Sequence, residues 1–248
     1  MPLTERKPPT HQTAAPTATN GEQIANDLQP GFYRNTNGQV NMMNPYLQST
    51  VIIDWHQPDV SELAKTLTVA GDQTETVRKC FEWVRDQILH SRDHEQNPVT
   101  CRASDVLRHR TGYCYAKSHL LAALLRANQI PAGLCYQRLS INDRGGPYSL
   151  HGFNAIQLSN GDWYRVDPRG NRPGINALFT PPVERLAFPL QSSDEFEFEN
   201  IFANPLDCVV SVLQGCCTWQ EVVTALPDVP PEMFAAQGLL VRARGTDH

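Results

Sequence analysis

Cys114, His151 and Asp167 carry the side chains that could do chemistry together, and the chemistry would be acyl transfer through a thiol. Cys114 stands at the head of "CYAKSHLLAALLRAN", a strong helical sequence whose apolar face is Leu120, Leu121, Leu124 and Leu125. A helix N-terminus offers unpaired N–H groups and the positive end of the dipole. Both favour a thiolate, the reactive form of cysteine. The same N–H groups can hold the oxyanion that forms when a carbonyl is attacked. Lys117, three residues on, is expected to add positive charge on that side. Gly112 is expected to let the chain turn sharply into the helix, and Pro131 to help stop it. Position alone does not make a nucleophile. Free cysteine is among the most buried residue types, so a structural role for Cys114 stays open.

A cysteine enzyme needs a histidine in reach and a third group to orient it. His11 and His248 fall in expected tails, and His90, His94 and His109 fall near helix ends and loops, where surface roles are expected. His119 is on the same helix but five residues from Cys114, so the two side chains diverge. His151 opens a strand in "LHGFNAIQL", and the next strand, "DWYRVDP", ends at Asp167. A surface histidine and a turn aspartate ("DPRGN" is good turn chemistry) are the plain alternatives.

The loop between those strands decides whether His151 and Asp167 can meet. A two-residue Asn160-Gly161 turn would pair Asn154 with Asp167 and put His151 on the opposite face. A three-residue loop, Ser159-Asn160-Gly161, pairs Leu158 with Asp162 and Phe153 with Asp167. His151 then shares a face with Asp167 as a diagonal neighbour, roughly 7–8 Å away at the backbone, which long side chains bridge. Such loops end in a left-handed residue, the place Gly161 occupies. A Cys–His–Asp set therefore predicts a bulged three-residue loop at Gly161.

The elements that must position these residues read as helices followed by an antiparallel meander, an α+β order. "DVSELAKTLTVAG" and "DQTETVRKCFEWVRDQILH" each begin like a capping box, with Asp59 and Asp72 as N-caps and Glu62 and Glu75 three residues on. Val77, Phe81, Val84 and Ile88 make one face of the second, with Cys80 as core filler beside it. "ASDVLRHR" reads as a short helix, and "GLCYQRL", "SLHGFNAIQL" and "DWYRVDP" as strands. "LFTPPVERLAFPLQ" is expected to wrap the domain irregularly, and "CTWQEVVTALP" to form a short helix. Residues 1–40 are expected to be a disordered tail, 41–225 the folded domain and 226–248 a loosely ordered tail.

Taken together, these residues resemble the transglutaminase-like superfamily of cysteine enzymes, over about Ala103 to Pro189. The motifs are "TGYCYAKSHLLAALLRANQIPAG", "LHGFNAIQL" and "GDWYRVDPRGN", in the family's order of Cys, His and Asp. The resemblance implies a papain-like α+β fold, with the nucleophile helix packed on an antiparallel sheet. It implies acyl chemistry on peptide or glutaminyl amides through a thioester. Cys114 would be the nucleophile, His151 the general base and acid, and Asp167 the orienting group. The Cys114 N–H would contribute to the oxyanion hole, and Tyr46 and Gln48 are the candidates for its side-chain member. Two departures touch the pocket: Gly-Phe follows the histidine where His-Ala-Trp is common, and "DPRGN" replaces Asp-Pro-Thr. The chain lacks a calcium-loop pattern of closely spaced acids and is far shorter than animal transglutaminases. It is more similar to compact microbial relatives of the protease or amidase type. A catalytically inactive member of this fold, acting as a binding module, is the second reading.

Bulk properties are in keeping with this. A net charge of −5 lacks the basic face that nucleic acid demands. The seven cysteines are odd in number and include no CxxC, which argues against both a disulfide framework and a zinc site. No membrane span, secretory signal, metal or cofactor is expected, and the expected compartment is the cytoplasm. The expected partner is a peptide, protein or small amide substrate.

Overall fold

The computed structural model describes residues 32–34, 40–42, 44–142, 145–233 and 240–243. The chain divides into two units, Met1–Met43 and Asn44–His248. In the first, strands β1 (Phe32–Arg34) and β2 (Val40–Met42) pair antiparallel, with Phe32 opposite Met42. The rest of the expected N-terminal tail lies outside the described residues.

The second unit begins with two helices, α1 (Pro58–Leu67) and α2 (Gln73–Gln87). Asp72 caps α2 as its sequence predicts, accepting from Glu75 N–H at 2.9 Å. Glu75 does not close the box; it pairs with Arg78 at 2.8 Å. Asp59 caps nothing. It lies inside the first turn of α1, because the helix starts one residue earlier at Pro58. Proline's fixed φ suits that first position, where its missing N–H costs nothing. Val77, Cys80, Phe81, Val84 and Ile88 are all buried.

After β3 (Leu89–His90) come α3 (Ala103–His109) and β4 (Thr111–Gly112), which pairs in parallel with β3. Next is α4 (Cys114–Ala127), buried continuously from Cys114 to Arg126. The sequence suggested one apolar face; α4 is instead a central helix, packed by α1, α2 and α3 and by the sheet strands β5 (Ala132–Ser140) and β6 (Tyr148–Gln157). Small Ala116, Ala122 and Ala123 let neighbours approach where the leucines do not point.

The sheet has the order β11-β10-β5-β6-β7, where β7 is Trp163–Val166, β10 Phe196–Phe198 and β11 Val241–Ala243. The β5–β6–β7 meander is antiparallel, and β5 and β6 pair from Ala132–Ile156 to Ser140–Tyr148. This is the α+β arrangement the sequence implies, with the helix that carries Cys114 packed on an antiparallel sheet. Elsewhere local pattern was a poor guide. "LFTPPVERLAFPLQ" contains a hairpin of β8 (Leu178–Thr180) and β9 (Val183–Arg185), tied to the sheet by Tyr164 Oη, which donates to Val183 O at 2.9 Å. Helix α5 (Asp207–Gly215) adds an element to those expected, and α6 (Trp219–Thr224) is the short helix expected of "CTWQEVVTALP". The stretch after residue 225 is held where described. Asp228 pairs with both prongs of Arg138 at 2.7 and 2.9 Å, Leu150 N–H donates to Pro227 O at 2.8 Å, and β11 extends the sheet. These ties are all long-range, so the composition that suggested a loose end carried no sign of them. Among the described residues no helix is long and apolar enough to cross a membrane.

Candidate active site

The loop at Gly161 has the form that a Cys–His–Asp set requires. Asn154 lies opposite Val166 and Gln157 opposite Trp163, a register that sets Leu158 against Asp162. Leu158 N–H donates to Asp162 O at 2.9 Å, Gly161 N–H donates to Leu158 O at 2.9 Å, and Gly161 takes φ +90°. The three-residue loop therefore puts His151 and Asp167 on one face. Their side chains meet, with His151 Nε2 donating to Asp167 Oδ2 at 2.7 Å.

Asp167 is completely buried, and every oxygen is used. Oδ2 also accepts from Ala187 N–H at 3.0 Å, and Oδ1 accepts from Arg169 N–H at 3.1 Å. Burial pushes this carboxyl up, but the His151 charge and these donors outweigh it and hold it below the ordinary aspartate range. Burial likewise pushes His151 down; the Asp167 carboxylate and Cys114 outweigh that and raise it to about 10. The ring is fixed by Phe153, stacked at 6.1 Å between centroids, and by Phe188, edge-on at 4.9 Å. With Nε2 committed to Asp167, the other ring nitrogen serves the Cys114 hydrogen bond.

Cys114 begins α4 and is 6% exposed. Its Sγ accepts from Gly152 N–H at 3.5 Å, so strand β6 lies directly against the first turn of α4. Gly152 makes that approach possible: a Cβ there would stand 2.9 Å from Tyr115 Cδ1 and 3.2 Å from Tyr115 Cα. This accounts for glycine after the histidine. Gly112 has a similar steric role, which corrects the expected sharp turn. It is an extended β4 residue whose added Cβ would meet Ala116 Cβ at 3.1 Å and Thr100 Oγ1 at 3.2 Å.

A cavity of about 220 Å³ opens in front of Cys114 and His151, bordered by Tyr113, Leu150, Phe188 and Leu226. Three expectations fail here. Lys117 does not supply charge to the sulfur: its Nζ donates to Arg85 O at 3.1 Å and to Ile88 O, and burial lowers it to about 7. Tyr46 and Gln48 do not line the cavity. Tyr46 Oη donates to Ile201 O at 2.9 Å, and Gln48 Nε2 to Asn44 O at 3.3 Å. His90, expected at the surface, is buried, packs edge-on against Tyr113 at 5.5 Å and lines the cavity. Burial and then the Arg169 charge hold it well below the ordinary histidine range, so it is neutral. His94 and His109 are exposed, His119 is buried on Cys101 O, and His11 and His248 lie outside the described residues.

The other buried cysteines have no such setting. Burial pushes Cys80 and Cys135 up to about 12 and Cys101 up to about 11. Among the described residues no group of three or more His, Cys, Asp and Glu could hold a metal ion.

Residues 61–168 match the model of the transglutaminase-like superfamily. This segment is similar to a transglutaminase-like core. It runs from α1 to the residue after Asp167 and includes all three candidate residues. No curated protein matches the chain in sequence. Solved structures similar to it include a proposed cysteine protease from Cytophaga hutchinsonii (20% identity, TM-score 0.40), with 50% of this chain and 41% of that one covered. Another is the periplasmic domain of TgpA from Pseudomonas aeruginosa (19% identity, TM-score 0.37), covering 50% of this chain and 45% of that one. The chain thus spans less than half the length of each.

Sequence reasoning missed Ala187 N–H and Arg169 N–H as supports of Asp167. The second had a signal, since an aspartate in turn chemistry commonly accepts from the N–H two residues on. The first comes from twenty residues away and had none.

Proposed function

We propose that the chain is a thiol enzyme that transfers or hydrolyses the acyl group of an amide through a thioester on Cys114. The observation that carries this reading is the 2.7 Å His151–Asp167 bond on the face that meets Cys114 at the head of α4. An imidazolium held between a buried carboxylate and the sulfur favours the thiolate. The thiolate adds to the amide carbonyl, and the oxyanion is received by N–H groups of the first turn of α4, that of Cys114 included. His151 then gives its proton to the departing amine, and the C–N bond breaks as the carbonyl re-forms. In the second half His151 takes a proton from water or from an acceptor amine, which attacks the thioester and frees Cys114. Asp167 keeps Nε2–H engaged throughout, so the nitrogen facing the sulfur carries the mobile proton.

The test is an activity-based thiol probe on the wild-type chain and on Cys114→Ala, followed by a peptide and amide library. The probe is expected to label Cys114 first, and Cys114→Ala to lose turnover while keeping its melting point. Full turnover in Cys114→Ala would overturn the mechanism.

A further inference from the structure

The cavity before Cys114 has two unlike walls. One is formed by the loop after β3 and by the turn after Asp167, and it presents Arg92, Arg169 and Arg172. The other presents Leu139, Ile141 and Leu226. Glu195 also lies on that second wall, but its carboxylate is 2% exposed and engaged by backbone. It accepts from Ser140 N–H at 2.9 Å, Gln191 N–H at 2.5 Å and Ser192 N–H at 3.3 Å.

The arginine wall has one counter-ion, Asp93. Arg169 claims it with both prongs, at 2.7 and 3.0 Å. Arg172 Nε reaches the same carboxylate only at 3.5 Å, and its side chain stays 52% exposed. Arg92 is exposed and, among the described residues, forms no ion pair. Three guanidinium groups thus face one carboxylate, and the neighbouring His90 is neutral. The thiolate, imidazolium and carboxylate of the site together add one negative charge and Glu195 another, so the cavity as a whole is balanced, and the positive charge is concentrated on the wall of Arg92 and Arg172, the guanidinium groups that Asp93 engages least. Guanidinium forks match carboxylates in geometry as well as charge, and a half-enclosed cavity strengthens the attraction.

We propose that this wall selects amide substrates that carry a carboxylate beside the scissile bond, with Arg92 and Arg172 as the groups that bind it. The proposal rests on the reading of Cys114 as the nucleophile. The carboxylate belongs either to an acidic side chain or to a free chain terminus; the chemistry that binds it is the same.

Two alkylating agents of nearly equal size test this on the full chain. Iodoacetate carries a carboxylate and iodoacetamide does not, and each loses iodide to the same thiolate. The readout is the ratio of the two rates at Cys114, measured by mass spectrometry beside the exposed Cys217 of the same sample. His151 raises this ratio by itself, so the weight falls on variants. Arg92→Gln and Arg172→Gln are each expected to lower it by about 3- to 10-fold, the scale of one charge-assisted contact. Arg108→Gln, which removes an arginine outside the cavity, is expected to leave it unchanged. An unchanged ratio in both cavity variants, or an equal fall in Arg108→Gln, overturns the proposal while Cys114 stays a fast thiol. If Cys114 reacts with neither reagent faster than Cys217, the nucleophile reading falls and the proposal with it. Protection of Cys114 from iodoacetamide by three short peptides identifies the source. Protection by an acidic peptide with an amidated terminus indicates a side chain, and by a neutral peptide with a free terminus a chain end. Equal effects from these two and a neutral, amidated peptide overturn the proposal.

Discussion

At the C-terminal end of α4, Arg126 is fully buried and spends its guanidinium on backbone. It donates to Ala132 O at 3.0 and 2.8 Å, to Gln48 O at 2.9 Å and to Ala203 O at 2.6 Å. Burial lowers it to about 10, so it keeps its charge at neutral pH, and that charge is spent on the carbonyls of the fold. At the N-terminal end, His151 and Asp167 are as deeply buried, yet they point their charge at a sulfur and an open cavity. Buried polar groups alone do not mark a site. What separates the two ends is whether the last hydrogen-bonding partner is the fold itself or a thiol beside open space.

Two of the buried histidines, His119 and His151, differ in the same way. His119 donates to Cys101 O at 2.8 Å and burial pushes it down to about 4, so it stays neutral. Burial pushes His151 down as well, but Asp167 and Cys114 reverse the outcome. A carboxylate partner turns a packing residue into one that holds a proton.

The largest loss is expected at Asp167. Asp167→Asn is expected to cut turnover by about 100- to 10,000-fold, because His151 loses its fixed tautomer, while costing about 1–3 kcal/mol of stability. That stability cost should itself depend on pH. His151 is raised when folded, so its contribution is complete below its unfolded value of about 6.5 and fades as pH climbs towards about 10. Asp167 is lowered when folded, so its contribution is complete above about pH 4 and is lost on acidification. The difference in melting temperature between wild type and Asp167→Asn should be largest between about pH 4 and 6.5 and shrink above that window.

At the other end of the helix the effects should fall on stability alone. Arg126→Met takes the donors from three carbonyls, one of them buried and two partly buried, and should cost about 3–5 kcal/mol in denaturant unfolding, with Cys114 still a fast thiol in the folded fraction. Leu124→Ala removes a completely buried side chain and should cost about 2–5 kcal/mol; an unchanged midpoint would misplace that helix face. Gly161→Ala is the smallest change. Its φ of +90° is strained for any side chain, so about 1 kcal/mol is expected, with slower labelling of Cys114 if the loop shifts the register.

Much of the site was legible in the sequence because its geometry is local. The Cys114 helix has its own apolar pattern, and counting the residues from Leu158 to Asp162 sufficed to align His151 with Asp167. The less legible parts depend on contacts distant in sequence. Ala187 reaches Asp167 from beyond a hairpin, Asp228 anchors the chain after α6 through Arg138, and His90 packs on Tyr113, more than twenty residues on. Lys117 was misread for a related reason. Its place in the first turn of α4 suggested the sulfur, while its long side chain reaches instead to the carbonyls that end α2.

The central claim is that His151, charged by Asp167, keeps Cys114 reactive. The most direct measurement is the rate of Cys114 alkylation by iodoacetamide from pH 5 to 9, in wild type and in His151→Gln. The wild-type rate is expected to stay high well below about pH 8.5, where an ordinary thiol begins to ionise, and His151→Gln to restore ordinary behaviour. A wild-type profile that rises only with that of an ordinary thiol, and is unchanged in His151→Gln, would contradict it.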